Sequence, residues 1–114
     1  MIHYMNLHPW PFHLIATGVK TIELRLYDEK RKSIRIGDTI TFSNTKNTEL
    51  QLNTIVKEIH VFPTFTELYN TLPLDKCGYL PEELSTAVPK DMEVYYSIEK
   101  QKEFSVVGIE LELI

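Results

Sequence analysis

A single cysteine, Cys77, leaves the chain without any internal disulfide, a usage that fits a reducing compartment. Only four glycines are present, and none forms the glycine-rich loop that cradles a phosphate. No Cys/His pair has the spacing of a metal-ligand set, so neither a metal nor a cofactor is expected. No apolar run approaches the roughly 20 residues needed to cross a bilayer. The opening residues, Met1-Ile2-His3-Tyr4-Met5-Asn6, lack the basic start and apolar stretch of a signal peptide. A cytoplasmic protein with no membrane partner is expected. Positive charge is not in excess either: 12 Lys and Arg face 16 Asp and Glu, a net −4. That balance argues against a protein that coats nucleic-acid backbones non-specifically.

What is present suits one domain, residues 1–114, with a modest core: 43% of the 114 residues are hydrophobic. The charge is unevenly spread. Lys20, Arg25, Lys30, Arg31, Lys32 and Arg35 fall in a stretch that carries only Glu23, Asp28 and Glu29 in opposition. A local basic patch on an acidic body suits one anionic ligand better than a long phosphate backbone.

The hydrophobic pattern predicts the elements. Ile2 to Leu7 alternates weakly as a strand. Phe12, Ile15, Ala16 and Val19 recur at helical spacing, which predicts a short helix from Pro11 to Thr17 with Gly18 as its C-terminal cap. Thr21 to Leu26 alternates as a strand, with Ile22, Leu24 and Leu26 toward a core and Thr21, Glu23 and Arg25 on a polar face. A charged helix or turn follows over Tyr27 to Lys32. Strands are predicted over Thr39 to Ser43 and Leu50 to Phe62, the second with a bulge or bend near Asn53 to Val56. Thr64 and Glu67 have the spacing of a capping box, opening a helix whose apolar face is Phe65, Leu68, Tyr69 and Leu72. Pro81 to Ala87 and Pro89 to about Lys102 each read as a helix. Phe104 to Ile114 closes the chain as a strand, Val107, Ile109, Leu111 and Leu113 on one face. Strands at both ends and in the middle, without regular strand–helix alternation, predict an α+β fold: a small, mainly antiparallel curved sheet or β-barrel with short helices at its rim.

The candidate chemistry lies at the junction of the first helix and the second strand. Glu23 and Arg25 are about 7 Å apart on one strand face, and Lys20 sits at the corner that feeds it. A carboxylate between two cations stays ionised and orients both. Such a triad can bind a phosphate or a base edge, with Lys20 and Arg25 donating and Glu23 accepting from an amino group. It can equally serve acid–base chemistry, Glu23 as base and Lys20 as proton shuttle, or be the solvated face of an antiparallel sheet. Trp10, held between Pro9 and Pro11, reads either as a stacking platform for a base or as a plug in the barrel. His8 is a possible hydrogen-bonding group for a ligand. Arg31 belongs to a patch that could position phosphate, and Tyr96, with Tyr95, could line a cleft. Cys77 has no histidine placed beside it by spacing and reads as structural.

Gly18-Val19-Lys20-Thr21-Ile22-Glu23-Leu24-Arg25 matches the G-x-K-x-x-E-x-R motif of the ASCH domain family at all four defining positions. The preceding helix, Gly37-Asp38 leading into a strand, and Tyr95-Tyr96-Ser97 before Val106-Val107-Gly108-Ile109 extend the resemblance over nearly the whole chain. The resemblance implies a PUA-like β-barrel with a cleft beside the motif, lined by Lys20, Glu23 and Arg25. It also implies a ligand among RNA and nucleotide-like molecules. Some small bacterial relatives are amidohydrolases acting on N(4)-acetylcytidine through a lysine, a threonine three residues later and a further glutamate. Lys20 matches the lysine, but Glu23 stands at the threonine position. The reading carried forward is a binding module for RNA or a modified nucleoside or nucleotide. The alternatives are a hydrolase of such nucleosides or a ribonuclease, with Lys20 and Glu23 catalytic, and a protein-interaction domain.

Overall fold

A computed structural model describes all 114 residues. Five strands form one sheet: β1 (Ile2–Leu7), β2 (Ile22–Leu26), β3 (Thr39–Asn44), β4 (Gln51–Phe62) and β5 (Val106–Leu113), in the order β1-β3-β4-β5-β2. Four short α-helices decorate it: α1 (Pro9–Ala16), α2 (Glu29–Lys32), α3 (Phe65–Thr71) and α4 (Ile98–Phe104). The α+β class and the rim helices are as expected. The expected barrel is not closed: β1 and β2 end the strand order without pairing to each other, so the sheet is a curled half-barrel. Nor is it wholly antiparallel, because β1 runs parallel to β3. A parallel pair needs a long crossover, and α1, β2 and α2 together supply it.

Local chemistry sets the helix ends. Pro9 and Pro11 both sit in the first turn of α1, which starts two residues earlier than apolar spacing suggested. Proline is tolerated there because those N–H groups have no helical partner. Gly18 follows the helix at φ +79°, a left-handed conformation that glycine adopts without cost. Thr64 and Glu67 form the predicted capping box. The single helix expected from Pro89 to Lys102 is instead a 3-10 turn, Pro89–Val94, followed by α4. Ser97 divides them: its backbone is extended and its hydroxyl accepts from Lys100 N at 3.2 Å, an N-cap inside the apparent run. The irregularity in β4 lies between Val56 and Glu58, just beyond the stretch marked by the sequence.

Two apolar clusters sandwich the β2–β5 side of the sheet. One holds Met5, Leu7, Ile40, Phe42, Val56, Val107, Ile109 and Leu111, closed by Phe12 and Ile15 of α1 and by Ile34. The other packs Ile22, Leu24 and Val106 against Phe65, Leu68 and Tyr69 of α3 and against Cys77. Complete burial of a side chain such as Phe42 contributes about 2–3 kcal/mol. Leu113, expected to join this core, is 41% exposed at the end of its strand.

The consequence for β2 is decisive. Its strand register sets Glu23 opposite Ile109 and Arg25 opposite Val107, so the polar face points toward the first cluster rather than into solvent. Ile22 and Leu24 point toward the second. Buried on both sides, β2 carries its charges inside the fold.

Candidate functional site

The site begins where α1 ends. After Gly18 the chain folds back so that the N–H groups of Val19 and Lys20 both donate to the Leu14 carbonyl at 3.0 Å, while Thr21 N–H donates to Lys76 O at 2.9 Å. These bonds fix the main chain on either side of Lys20. Its aliphatic stem lies against Gly78, whose backbone has φ +112°; a Cβ there would stand 3.4 Å from Lys20 Cδ. The ammonium thus reaches Glu23 Oε1 at 2.7 Å.

Glu23 takes its second partner from along the strand: Arg25 Nε donates to Oε2 at 2.7 Å. The carboxylate is 3% exposed and Lys20 9% exposed. Burial is the largest influence on the Glu23 carboxyl and pushes its pKa up. The charges and hydrogen bonds of Lys20 and Arg25 together outweigh it, so the net shift is downward and the group is ionised. Arg25 Nη2 also donates to the Asn6 carbonyl at 2.8 Å. Glu23 therefore orients two cations, and each keeps N–H groups unused by the protein.

These residues border a cleft of ≈ 570 Å³, within the range of small-molecule sites. A second polar line borders the same cleft. Tyr69 and Tyr79 hydroxyls are 2.6 Å apart, and Tyr79 donates to Asp91 Oδ2 at 2.8 Å. Burial pushes the Tyr69 hydroxyl up to about 12, and burial with these hydrogen bonds raises Tyr79 further still. Burial likewise pushes the Cys77 thiol up to about 12, so no thiolate is available at neutral pH. Glu83 lies on the same rim and accepts from Leu80 N at 2.7 Å.

Of the residues singled out in the sequence, Lys20, Glu23, Arg25, His8, Trp10 and Tyr96 all border this cleft. Trp10 is 55% exposed and stacks on His13 with ring centres 5.7 Å apart, so it is no interior plug. Tyr95 is 67% exposed at the rim. Tyr96 stacks on Phe65 at 6.1 Å and joins the second core cluster at its edge. Arg31 lies outside the lining: its Nη1 donates to Asp28 Oδ2 at 3.0 Å within α2 and its cap. Lys30, Lys32 and Arg35 are absent from the lining as well. The basic cluster read from the sequence and the cleft are thus separate features. Within the cleft, Lys20 and Arg25 meet three carboxylates, Glu23, Glu83 and Asp91.

The sequence pattern does not mark Tyr69, Tyr79, Glu83 or Asp91 as lining residues of the cleft. Helical spacing places Tyr69 on the apolar face of its helix, where its ring packs. Tyr79 lies in a loop without periodicity, and Asp91 lies in the 3-10 turn Pro89–Val94, within the stretch expected to be a single helix.

No curated protein matches the chain. Solved structures resemble it, three of them as follows. The crystal structure of hypothetical protein PH0355 shares 35% identity over the full length of both chains, with a TM-score of 0.82. The solution structure of protein PF0455 from Pyrococcus furiosus shares 35% identity, with a TM-score of 0.71, over all of this chain and 98% of its own. The ASCH domain from Lactobacillus crispatus shares 11% identity and the fold alone, with a TM-score of 0.61 over 97% of this chain and 79% of its own. The ASCH domain family model matches residues 5–114, and the chain belongs to the ASCH domain family.

Proposed function

We propose that the cleft binds a nucleoside or a single nucleotide of an RNA strand. The observation that carries this reading is the buried Lys20–Glu23–Arg25 arrangement, which aims two oriented cations at a cleft with the exposed Trp10 indole at its border. The cations supply N–H donors to base or phosphate oxygens. The indole supplies a stacking surface of the kind single-stranded RNA uses. Because three carboxylates offset the two cations, a neutral or singly charged ligand suits the cleft better than a polyphosphate. Trp10 is the only tryptophan, so its fluorescence reports on the site. Nucleosides, mononucleotides and short single-stranded RNA are expected to quench it saturably, and Lys20→Ala or Arg25→Ala to remove the effect. Saturable binding unchanged in both variants would overturn the reading.

A second reading, hydrolysis of an acylated nucleoside, draws on Lys20 and on the carboxylate of Glu83 at the rim. It lacks an activated hydroxyl or thiol nucleophile among the buried groups, since Tyr69, Tyr79, Tyr96 and Cys77 are shifted away from their anionic forms. Incubation with N(4)-acetylcytidine or short RNA is expected to give no product; turnover lost on Lys20→Ala would favour the enzyme instead.

A further inference from the structure

The Tyr69–Tyr79–Asp91 line has a fixed direction. A carboxylate only accepts, and each tyrosine owns one hydroxyl proton. Tyr79 gives its proton to Asp91 Oδ2. The contact between the two hydroxyls must therefore be made by the Tyr69 proton, donated to Tyr79 across 2.6 Å. Asp91 Oδ2 is itself held by the backbone N–H of Val88 at 3.2 Å, which keeps the end of the line in place. With its proton spent, the Tyr69 oxygen can offer a ligand only lone pairs. Tyr69 borders the cleft beside Cys77 and Gly78, the segment against which Lys20 packs. A fixed acceptor and a fixed donor thus border the same cleft. The acceptors of Glu23 are engaged within the protein: each of its oxygens holds a cation and the residue is 3% exposed.

We propose that Tyr69, polarised through Tyr79 by Asp91, selects ligands that present an N–H donor, so that the cleft prefers a nucleobase with an exocyclic amino group over its carbonyl counterpart. This inference rests on the proposed nucleoside binding and adds a specificity-determining residue to it. A carbonyl group placed at Tyr69 sets lone pairs against lone pairs and leaves two polar groups unpaired. That kind of mismatch rejects an analogue far more strongly than a missing methylene does.

The test uses two isosteric pairs: cytidine against uridine, and adenosine against inosine. Each is titrated into the protein and followed by Trp10 fluorescence and calorimetry. At least one amino-bearing member is expected to bind about tenfold or more tightly than its partner. Tyr79→Phe frees the Tyr69 proton, letting that hydroxyl donate or accept. The preference is then expected to collapse toward unity because the carbonyl member gains affinity, a change that mere structural damage would not produce. Tyr69→Phe is expected to abolish the preference through loss of affinity for the amino member. Circular dichroism confirms that each variant is folded. Equal binding of both members of each pair to the wild type would overturn this inference while leaving nucleoside binding intact. A preference retained in folded Tyr79→Phe would overturn it too. Absence of binding by all four nucleosides would overturn both this inference and the proposed function.

Discussion

Arg25 Nη2 donates to the carbonyl oxygen of Asn6 across 2.8 Å, joining β2 to β1, the two strands at opposite ends of the sheet order. The backbone leaves the half-barrel open between these strands, and one guanidinium spans the opening. The same side chain holds Glu23 through Nε. Arg25 is therefore a brace and a lining group of the cleft at once.

Arg25→Lys tests the brace. Lysine retains the charge but offers no fork that reaches two acceptors in different directions. The Asn6 contact or the Glu23 contact is lost, and stability is expected to fall by about 1–3 kcal/mol. Arg25→Ala leaves Glu23 buried with only Lys20 and is expected to cost about 3 kcal/mol or more. Urea denaturation of both variants measures the difference, and equal stability in the wild type and Arg25→Lys would show that the brace carries no load.

Glu23 separates stability from binding. Glu23→Gln removes the charge that keeps Lys20 and Arg25 together and leaves two cations in a poorly solvated site. A loss of about 3 kcal/mol and weakened nucleoside binding are expected together. Replacing the whole arrangement with apolar groups, Lys20→Met, Glu23→Leu and Arg25→Met in one chain, removes every charge that needs a partner. Its stability is expected to exceed that of Glu23→Gln, falling short of the wild type by the lost Asn6 contact, while nucleoside binding stays lost, as read by urea denaturation and Trp10 fluorescence. A triple variant as unstable as Glu23→Gln would mean that the ion pairs themselves hold the fold.

The sequence makes some of this arrangement legible and hides the rest for physical reasons. Strict alternation puts Glu23 and Arg25 on one side of β2, and Gly18 marks where α1 must stop, so the triad can be read from local rules. Its surroundings cannot. Whether a polar strand face meets solvent or interior depends on what packs there, and here the facing β5 residues Val107 and Ile109 belong to a core cluster completed by Phe12 and Ile15 of α1, outside the strand's own pattern. The parallel pairing of β1 with β3 is likewise set by a crossover and not by either strand's own pattern. Tyr79 and Asp91 reach the cleft from 3-10 turns and loops whose course follows proline placement and single caps such as Ser97. No period of 2 or 3.6 flags them.

Gly78→Ala tests the positioning of Lys20. At φ +112° any side chain is strained, at a cost of about 1–3 kcal/mol. The new Cβ would stand in ordinary contact with the Lys20 stem, 3.4 Å from Cδ and 3.9 Å from Nζ, so a backbone shift that relieves the strain is passed on to Lys20. The substitution is expected to lower stability and to weaken nucleoside binding, although residue 78 carries no functional group. Gly18→Ala, strained at φ +79° but with no atom within 4 Å of its Cβ, is the control: a similar loss of stability is expected with binding retained. Equal effects of the two on affinity would mean that Gly78 acts only through the backbone.

Acid stability has its own identifiable contributor, away from the cleft. Asp38 Oδ2 lies 2.8 Å from His3 Nε2 and accepts from Arg35 N–H at 3.0 Å. The hydrogen bond from His3, then that from the Arg35 backbone, lower the Asp38 carboxyl from 3.8 to about 2. A carboxyl depressed in the folded state favours folding above its unfolded value, and that contribution disappears as the pH falls through the folded value. The window is therefore from about pH 4 down to about pH 2. Asp38→Asn cannot titrate, so the stability difference between wild type and variant is expected to shrink as the pH falls through that window. Thermal melts of both proteins across this range measure it. A difference that stays constant down to pH 2 would place the acid sensitivity of the fold elsewhere, with the ionised Glu23 between Lys20 and Arg25 as the next group to test.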